Sequence, residues 1–319
     1  MQANCPPAAP PSNTAVEQQP LDRALQARAL HSVPALTNYG NEFHANGIPE
    51  LMSANTFRTA WTDYQQLMVD KLNEKVVGTS LESDLLRDVV IQTAREPLFA
   101  STFNYASMAF NNHFYFQSIS PAYHANTSPK ADKEKPMSDE LAESLTTSFS
   151  SLDIFKADFL ATAEAMFGPG FVWLVWHNQR GAYNNGSWKI LPTYLAGSPL
   201  SDAHWRQQPV DMNTQNHESA GGLSGADHAR QSQVQNTVGI LGPHSADGQA
   251  ARNRAPGGAD ITPVLCVNTW EHVWVADWGI QHKRDYLEAW WRRINWNEVQ
   301  AFTPEAALSL NKKNYPRIG

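Results

Sequence analysis

The stretch Val264–Trp296, VLCVNTWEHVWVADWGIQHKRDYLEAWWRRINW, gathers the residue types best suited to chemistry in this chain. Glu271 and His272 stand side by side behind Trp270, at the end of an apolar run rich in β-branched residues. Imidazole and carboxylate side chains are the donors that transition-metal sites draw on. Asn268, just upstream, offers only a neutral carbonyl oxygen, a weaker donor. Four more histidines, His204, His217, His228 and His244, fall between residues 201 and 260. Their spacing matches no ligand motif, and they read as solvated loop side chains. The chain has no phosphate-cradling glycine loop, no Cys-x-x-Cys pair and no internal repeat, and nothing marks a Ser-His-Asp arrangement.

The elements that must position these residues are legible from periodicity. Phe57, Trp61, Tyr64, Met68 and Leu72 recur on one face of a long helix, with Ser53, Asn55 and Thr56 as candidate N-caps. A second helix is expected from Phe99 to Phe116, then a charged linker from Pro121 to about Met137. Helix resumes over Leu141–Met166, with Phe155, Phe159 and Met166 on one face, until Gly168 and Gly170 break it and open a strand at FVWLVW. Further strands are expected at Trp188–Leu195 and Val264–Asn268, and a helix at Lys283–Arg293. Residues 301–319 read as a C-terminal tail carrying Lys312, Lys313 and Arg317. Residues 201–260, poor in aliphatics and rich in Gln, Asn, Ser and Gly, read as a flexible insert dispensable for folding.

Composition narrows the function. A net charge of -7 argues against a protein held mainly by nucleic-acid phosphates, so any RNA contact is expected to be local. The longest apolar run, Phe171–Trp176, is far too short to span a bilayer. Cys5 lies in a Pro-rich segment and Cys266 in an apolar one, so no disulfide framework is expected and a reducing compartment is. Residues 1–30 carry no core pattern. Within them, LDRALQARAL suits an Arg-bearing amphipathic helix before a cut at Leu30/His31, so the segment is either a mitochondrial presequence or a disordered tail.

Five segments, in order, carry a family resemblance: VPALTNYGNEF, AFNNHFYFQSISP, SFSSLDIFKADF, FGPGFVWLVW and the closing Trp-Glu-His stretch. Over about Val33–Trp296 the chain resembles the iron/manganese superoxide dismutases, whose closing strand reads Asp-x-Trp-Glu-His. The resemblance implies an α+β fold, with an N-terminal helical hairpin over 31–130 and an α/β domain with a short antiparallel sheet over 138–300. It places a metal pocket between the two. His113 matches the second-helix ligand, although its spacing to the following Ser-Pro is one residue short, and His272 matches the closing histidine. Asn268 replaces the ligand aspartate, and the first-helix ligand falls near Asn55, with no histidine between His44 and His113.

That ligand set implies no metal, no cofactor and no catalytic residue. His113 and His272 are then expected as buried histidines bonded to groups such as Asn55 and Asn268, and restoring metal binding as a matter of Asn268→Asp with a histidine at position 55. In the family, the glutamate at Glu271 crosses a dimer interface, so Trp270, Glu271, Arg284 and Tyr286 become interface candidates. Val275 stands where active dimers carry a tyrosine, which favours pairing with a divergent paralogue. Degenerate members of the family serve in the small subunit of the mitochondrial ribosome. The expectation is therefore a non-catalytic component of that subunit in the mitochondrial matrix, bound to small-subunit ribosomal proteins and to a second dismutase-like chain. The alternatives are an active mitochondrial dismutase with an atypical ligand set, or a scaffold outside the ribosome.

Overall fold

A computed structural model describes residues 30–36, 39–94, 96–121, 137–178, 186–203 and 260–308. The expected tail before Leu30, residues 122–136 of the Pro121–Met137 linker, residues 204–259 of the insert, and residues 309–319 lie outside them. A short helix, α1 (Gly40–Asn46), precedes the first long one. The N-cap of the latter is Ser53, whose Oγ accepts from Thr56 N at 3.2 Å. The helix then runs as α2 (Ala54–Phe57), a π-helical turn (Arg58–Asp63) and α3 (Tyr64–Val76). After the π turn the buried positions are Gln65, Met68, Val69, Leu72 and Val76, while Tyr64 is only half-buried. The face foreseen through Tyr64 is thus shared with a buried glutamine.

Helix α4 (Leu86–Ala94) was not foreseen. Its Val89 and Val90 pack with Leu72, Val76, Phe103 and Ala106 in a second, smaller core beneath α5 (Ala100–Gln117). The first long helix and α5 run antiparallel: Phe57 and Trp61 meet Phe116 edge-on at 5.4 and 5.3 Å, while Gln65 bonds back at Ala109. This is the expected helical hairpin.

The helical stretch expected over Leu141–Met166 is two helices, α6 (Asp139–Phe149) and α7 (Leu152–Ala165). Ser150, at φ 67°, breaks them, and Ser151 Oγ caps α7 by accepting from Ile154 N at 3.1 Å. The sheet follows in the order β2–β1–β3, all antiparallel. β1 (Gly170–His177) is its centre, so FVWLVW is buried throughout rather than in alternation. β2 (Ser187–Tyr194) and β3 (Ile261–Asn268) are the edges, and each carries a proline, Pro192 and Pro263, where a missing N–H is tolerated. Val264 bulges opposite the Leu174–Val175 step.

After the sheet come α8 (Glu271–Trp278), α9 (Lys283–Trp291), α10 (Trp296–Phe302) and α11 (Glu305–Leu308). Trp290 stacks on Phe159 at 5.6 Å, seating α9 on α7. Residues 301–308 are not a tail: Ala307 is fully buried and its carbonyl accepts from Ser144 Oγ at 2.6 Å. The two halves are closed by Ser120 N donating to Arg293 O and Asn295 N to Ser118 O, both at 2.8 Å.

Candidate site between the helical hairpin and the sheet

β3 ends at Asn268, and the backbone there is held from three sides. Tyr286 Oη donates to Asn268 O at 2.7 Å, and Thr269 N donates to Gly170 O at 2.9 Å. A Cβ at Gly170 would sit 2.2 Å from Thr193 O, so only glycine lets β1 and β2 approach this closely. Trp274 Nε1 reaches Thr269 O at 3.3 Å and fixes the entry to α8.

The side chain of Asn268 faces the helical hairpin. Its Nδ2 donates to Asn112 Oδ1 at 3.2 Å, and its Oδ1 accepts from Trp270 N at 2.9 Å. Asn112 in turn donates both amide hydrogens, to Ala60 O at 3.1 Å and to Gln65 Oε1 at 3.0 Å. Gln65 Nε2 ends the chain on Ala109 O at 2.9 Å. Asn268, Asn112 and Gln65 are all fully buried.

Two positions therefore move from where the sequence put them. The hairpin residue opposite Asn268 is Asn112, not His113. One residue along a helix is a rotation of about 100°, and His113 points instead toward Trp61, with ring centroids 5.9 Å apart. The one-residue-short spacing to Ser120-Pro121 was the sequence signal for this shift. The first helix presents Ala60, Tyr64 and Gln65 to the site. Asn55 is exposed, its Oδ1 accepting from Arg58 at 3.1 Å, and it neither replaces a ligand nor bonds a histidine.

His272 packs flat on Tyr64 at 4.3 Å and lies 5.8 Å from Trp270. Burial pushes its pKa down to about 4, and that of the Tyr64 phenol up to about 12. His113 is also lowered by burial, partly offset by a hydrogen bond to the Ala35 backbone. The Nε2 atoms of both histidines and Nε1 of Trp270 are buried without a hydrogen-bond partner among the described residues. The expected bonds from His113 and His272 to Asn55 and Asn268 are thus not made: Asn268 is already engaged by Asn112 and Trp270.

This donor set does not fit iron or manganese. At the junction Asn268 and two further neutral carboxamides, Asn112 and Gln65, form one hydrogen-bonded chain with no carboxylate in it, and the imidazole of His272 stacks on Tyr64. Among the described residues no three His, Cys, Asp or Glu side chains converge as a metal site.

The candidate interface residues separate. Glu271 is exposed and Trp270 half-buried at the start of α8. Arg284 is engaged within the chain, by Glu288 at 2.9 Å and Glu164 at 3.2 Å. Tyr286 is fully buried, bonded to Tyr115 Oη at 3.0 Å as well as to Asn268 O, so it belongs to the core and not to a surface. Gln65 and Asn112 were missed in the sequence. Their signal was a carboxamide on an otherwise apolar helix face.

A helical hairpin closed on a three-stranded antiparallel sheet, with a buried polar network at their junction, is a dismutase-like fold. Residues 137–210 and 231–302 match the family described as iron/manganese superoxide dismutases, C-terminal domain, and the chain carries that domain. Among curated proteins it is 25% identical over 270 residues to small ribosomal subunit protein mS43 of Schizosaccharomyces pombe, covering 85% of this chain and 83% of that protein. It is 25% identical over 213 residues to small ribosomal subunit protein mS42 of the same organism, covering 66% and 70%. It is 24% identical over 246 residues to the superoxide dismutase [Fe] of Legionella pneumophila, covering 77% and 87%.

Proposed function

We propose that this chain is a non-catalytic structural component of the small subunit of the mitochondrial ribosome, in the mitochondrial matrix, built on a dismutase fold. What carries the reading is a conjunction: likeness to two small-subunit ribosomal proteins, one of them matched over 83% of its length, and an amide network at the point where the family holds its metal. The dismutase alternative would need oxygen anions and imidazoles at positions filled here by Asn268, Asn112 and Ala60.

Within that assembly the chain binds mainly protein, with local rRNA contact at most, in keeping with a net charge of -7. Its nearest partner is a second dismutase-like chain seated on the start of α8. Supporting this are the exposed Glu271 carboxylate and, on either side of it in sequence, the half-buried side chains of Trp270 and His272. An exposed carboxylate can accept a charge-assisted hydrogen bond across a subunit boundary.

The test is sedimentation of the tagged full chain from mitochondrial lysate through a density gradient, with identification of co-migrating proteins. The protein is expected in the small-subunit fractions together with a second dismutase-like chain. Migration only as a free homodimer, away from ribosomal subunits at low salt, would overturn the reading.

A further inference from the structure

We propose that the three carboxamides Gln65, Asn112 and Asn268 form a hydrogen-bond relay of fixed polarity that joins the helical hairpin to the sheet in place of a metal ion. It requires the neutral amide at every position. The inference does not depend on where in the cell the protein works.

The polarity follows from the ends. At the hairpin end the anchors are the carbonyls of Ala109 and Ala60, which only accept. They force Nε2 of Gln65 and Nδ2 of Asn112 to face them. Gln65 Oε1 must then accept from Asn112, and Asn112 Oδ1 must accept from Asn268. At the sheet end the anchor is Trp270 N, which only donates, so Asn268 Oδ1 must face it. Both ends demand the same orientation of Asn268, and no amide can flip without setting two acceptors or two donors together. Asn112 uses both hydrogens, and none of the three residues has a side-chain atom left buried without a partner.

A carboxylate at position 268 keeps the bond from Trp270 N but turns an oxygen toward Asn112 Oδ1. In a protein that held a metal there, Asn268→Asp would add an anionic ligand and strengthen the centre. In this protein the same change buries an unpaired charge against an acceptor, with no cation to offset it. The two possibilities predict shifts of opposite sign.

The experiment uses the full chain, unmodified and as Asn268→Asp, in thermal unfolding with EDTA and with excess Mn(II). Asn268→Asp is expected to lower Tm by about 5–15 °C, and Mn(II) to move neither protein. Alongside it, Asn112→Ala, Asn268→Ala and the double variant form a cycle, in which the double change is expected to cost clearly less than the sum of the singles. Should Asn268→Asp fail to fold, amide exchange of the unmodified chain decides: the side-chain NH2 groups of Gln65, Asn112 and Asn268 should exchange far more slowly than that of exposed Asn55. An unchanged or raised Tm for Asn268→Asp, stabilisation of either protein by Mn(II), additive alanine shifts, or fast exchange of the three amides would each overturn the proposal.

Discussion

Asn268 donates to Asn112 at 3.2 Å across 156 positions of sequence, and this single bond links the last residue of β3 to the middle of α5. Neither residue has a charge to neutralise, and the side-chain donors and acceptors of both are bonded within the chain. The shape of the pocket survives because its frame is held by other contacts: Tyr286 on the Asn268 carbonyl, Thr269 on Gly170, and Ser118 and Ser120 on the end of α9.

Tyr286 provides a way to separate frame from surface. Its hydroxyl is bonded to both Asn268 O and Tyr115 Oη in the core. Tyr286→Phe removes a donor and leaves the Asn268 carbonyl short of a partner, at a cost of about 1–3 kcal/mol. Urea unfolding should show that loss, while pairing measured at a temperature where the variant is folded should be unchanged. Weakened pairing without loss of stability would return Tyr286 to the interface.

Glu271 should behave in the opposite way. It is exposed, so Glu271→Ala should leave the unfolding midpoint of the isolated chain nearly unchanged. If Glu271 meets a buried donor on the second dismutase-like chain, truncation weakens pairing by about 2–5 kcal/mol. Analytical ultracentrifugation of the two chains mixed, with and without the substitution, reads this directly. Equal association would exclude this face.

The half-buried histidines set a pH dependence. His272 titrates at about 4 in the folded protein, and an unfolded histidine at about 6.5. Between these values the unfolded chain holds a proton that the folded chain refuses. Stability present above about pH 6.5 is therefore lost as pH falls toward 4, by up to about 3 kcal/mol for this residue, and His113 adds a loss in the same direction. Urea unfolding from pH 7.5 to 4.5 should show this slope, and His272→Gln should flatten it. An identical slope in the variant would mean that His272 is not held neutral.

Residues 204–259 should be removable if the deletion respects the clasp at their base. Ser201 Oγ donates to Ile261 O at 2.8 Å and accepts from Ile261 N at 2.9 Å, while Leu200 and Ala203 are buried. A join of Leu200 directly to Ile261 would destroy that clasp. Replacing 204–259 by about eight Gly and Ser residues keeps it, and each halving of loop length changes closure by only about 0.6 kcal/mol. Thermal unfolding of this variant should stay within a few degrees of the full chain. Aggregation, or loss of most of the stability, would make the segment part of the core.

The fold was legible because its signals are local. The apolar run of β1, the glycines before it and the Trp-Glu-His turn each declare themselves within a dozen residues. The site was less so. A histidine in a helix stands out, and His113 drew the ligand assignment although Asn112 beside it faces the pocket. The difference is one residue of helical phase, set by the packing of Phe114 and Phe116 against Trp173 and Phe57 far away in sequence. Asn55 failed for the same reason on the first helix: it lies on the exposed side, bonded to Arg58, while Phe57, Trp61 and Gln65 face α5. Tyr286 lay in a recognisable motif, but no periodicity tells a core tyrosine from an interface one.

Metal analysis of the full chain tests most directly whether a dismutase fold persists here without a metal centre. Protein purified without chelator from cells supplied with both iron and manganese should carry well under a tenth of an equivalent of either, and should show no superoxide dismutation. Close to one iron or manganese per chain, with activity abolished by His272→Ala, would contradict it.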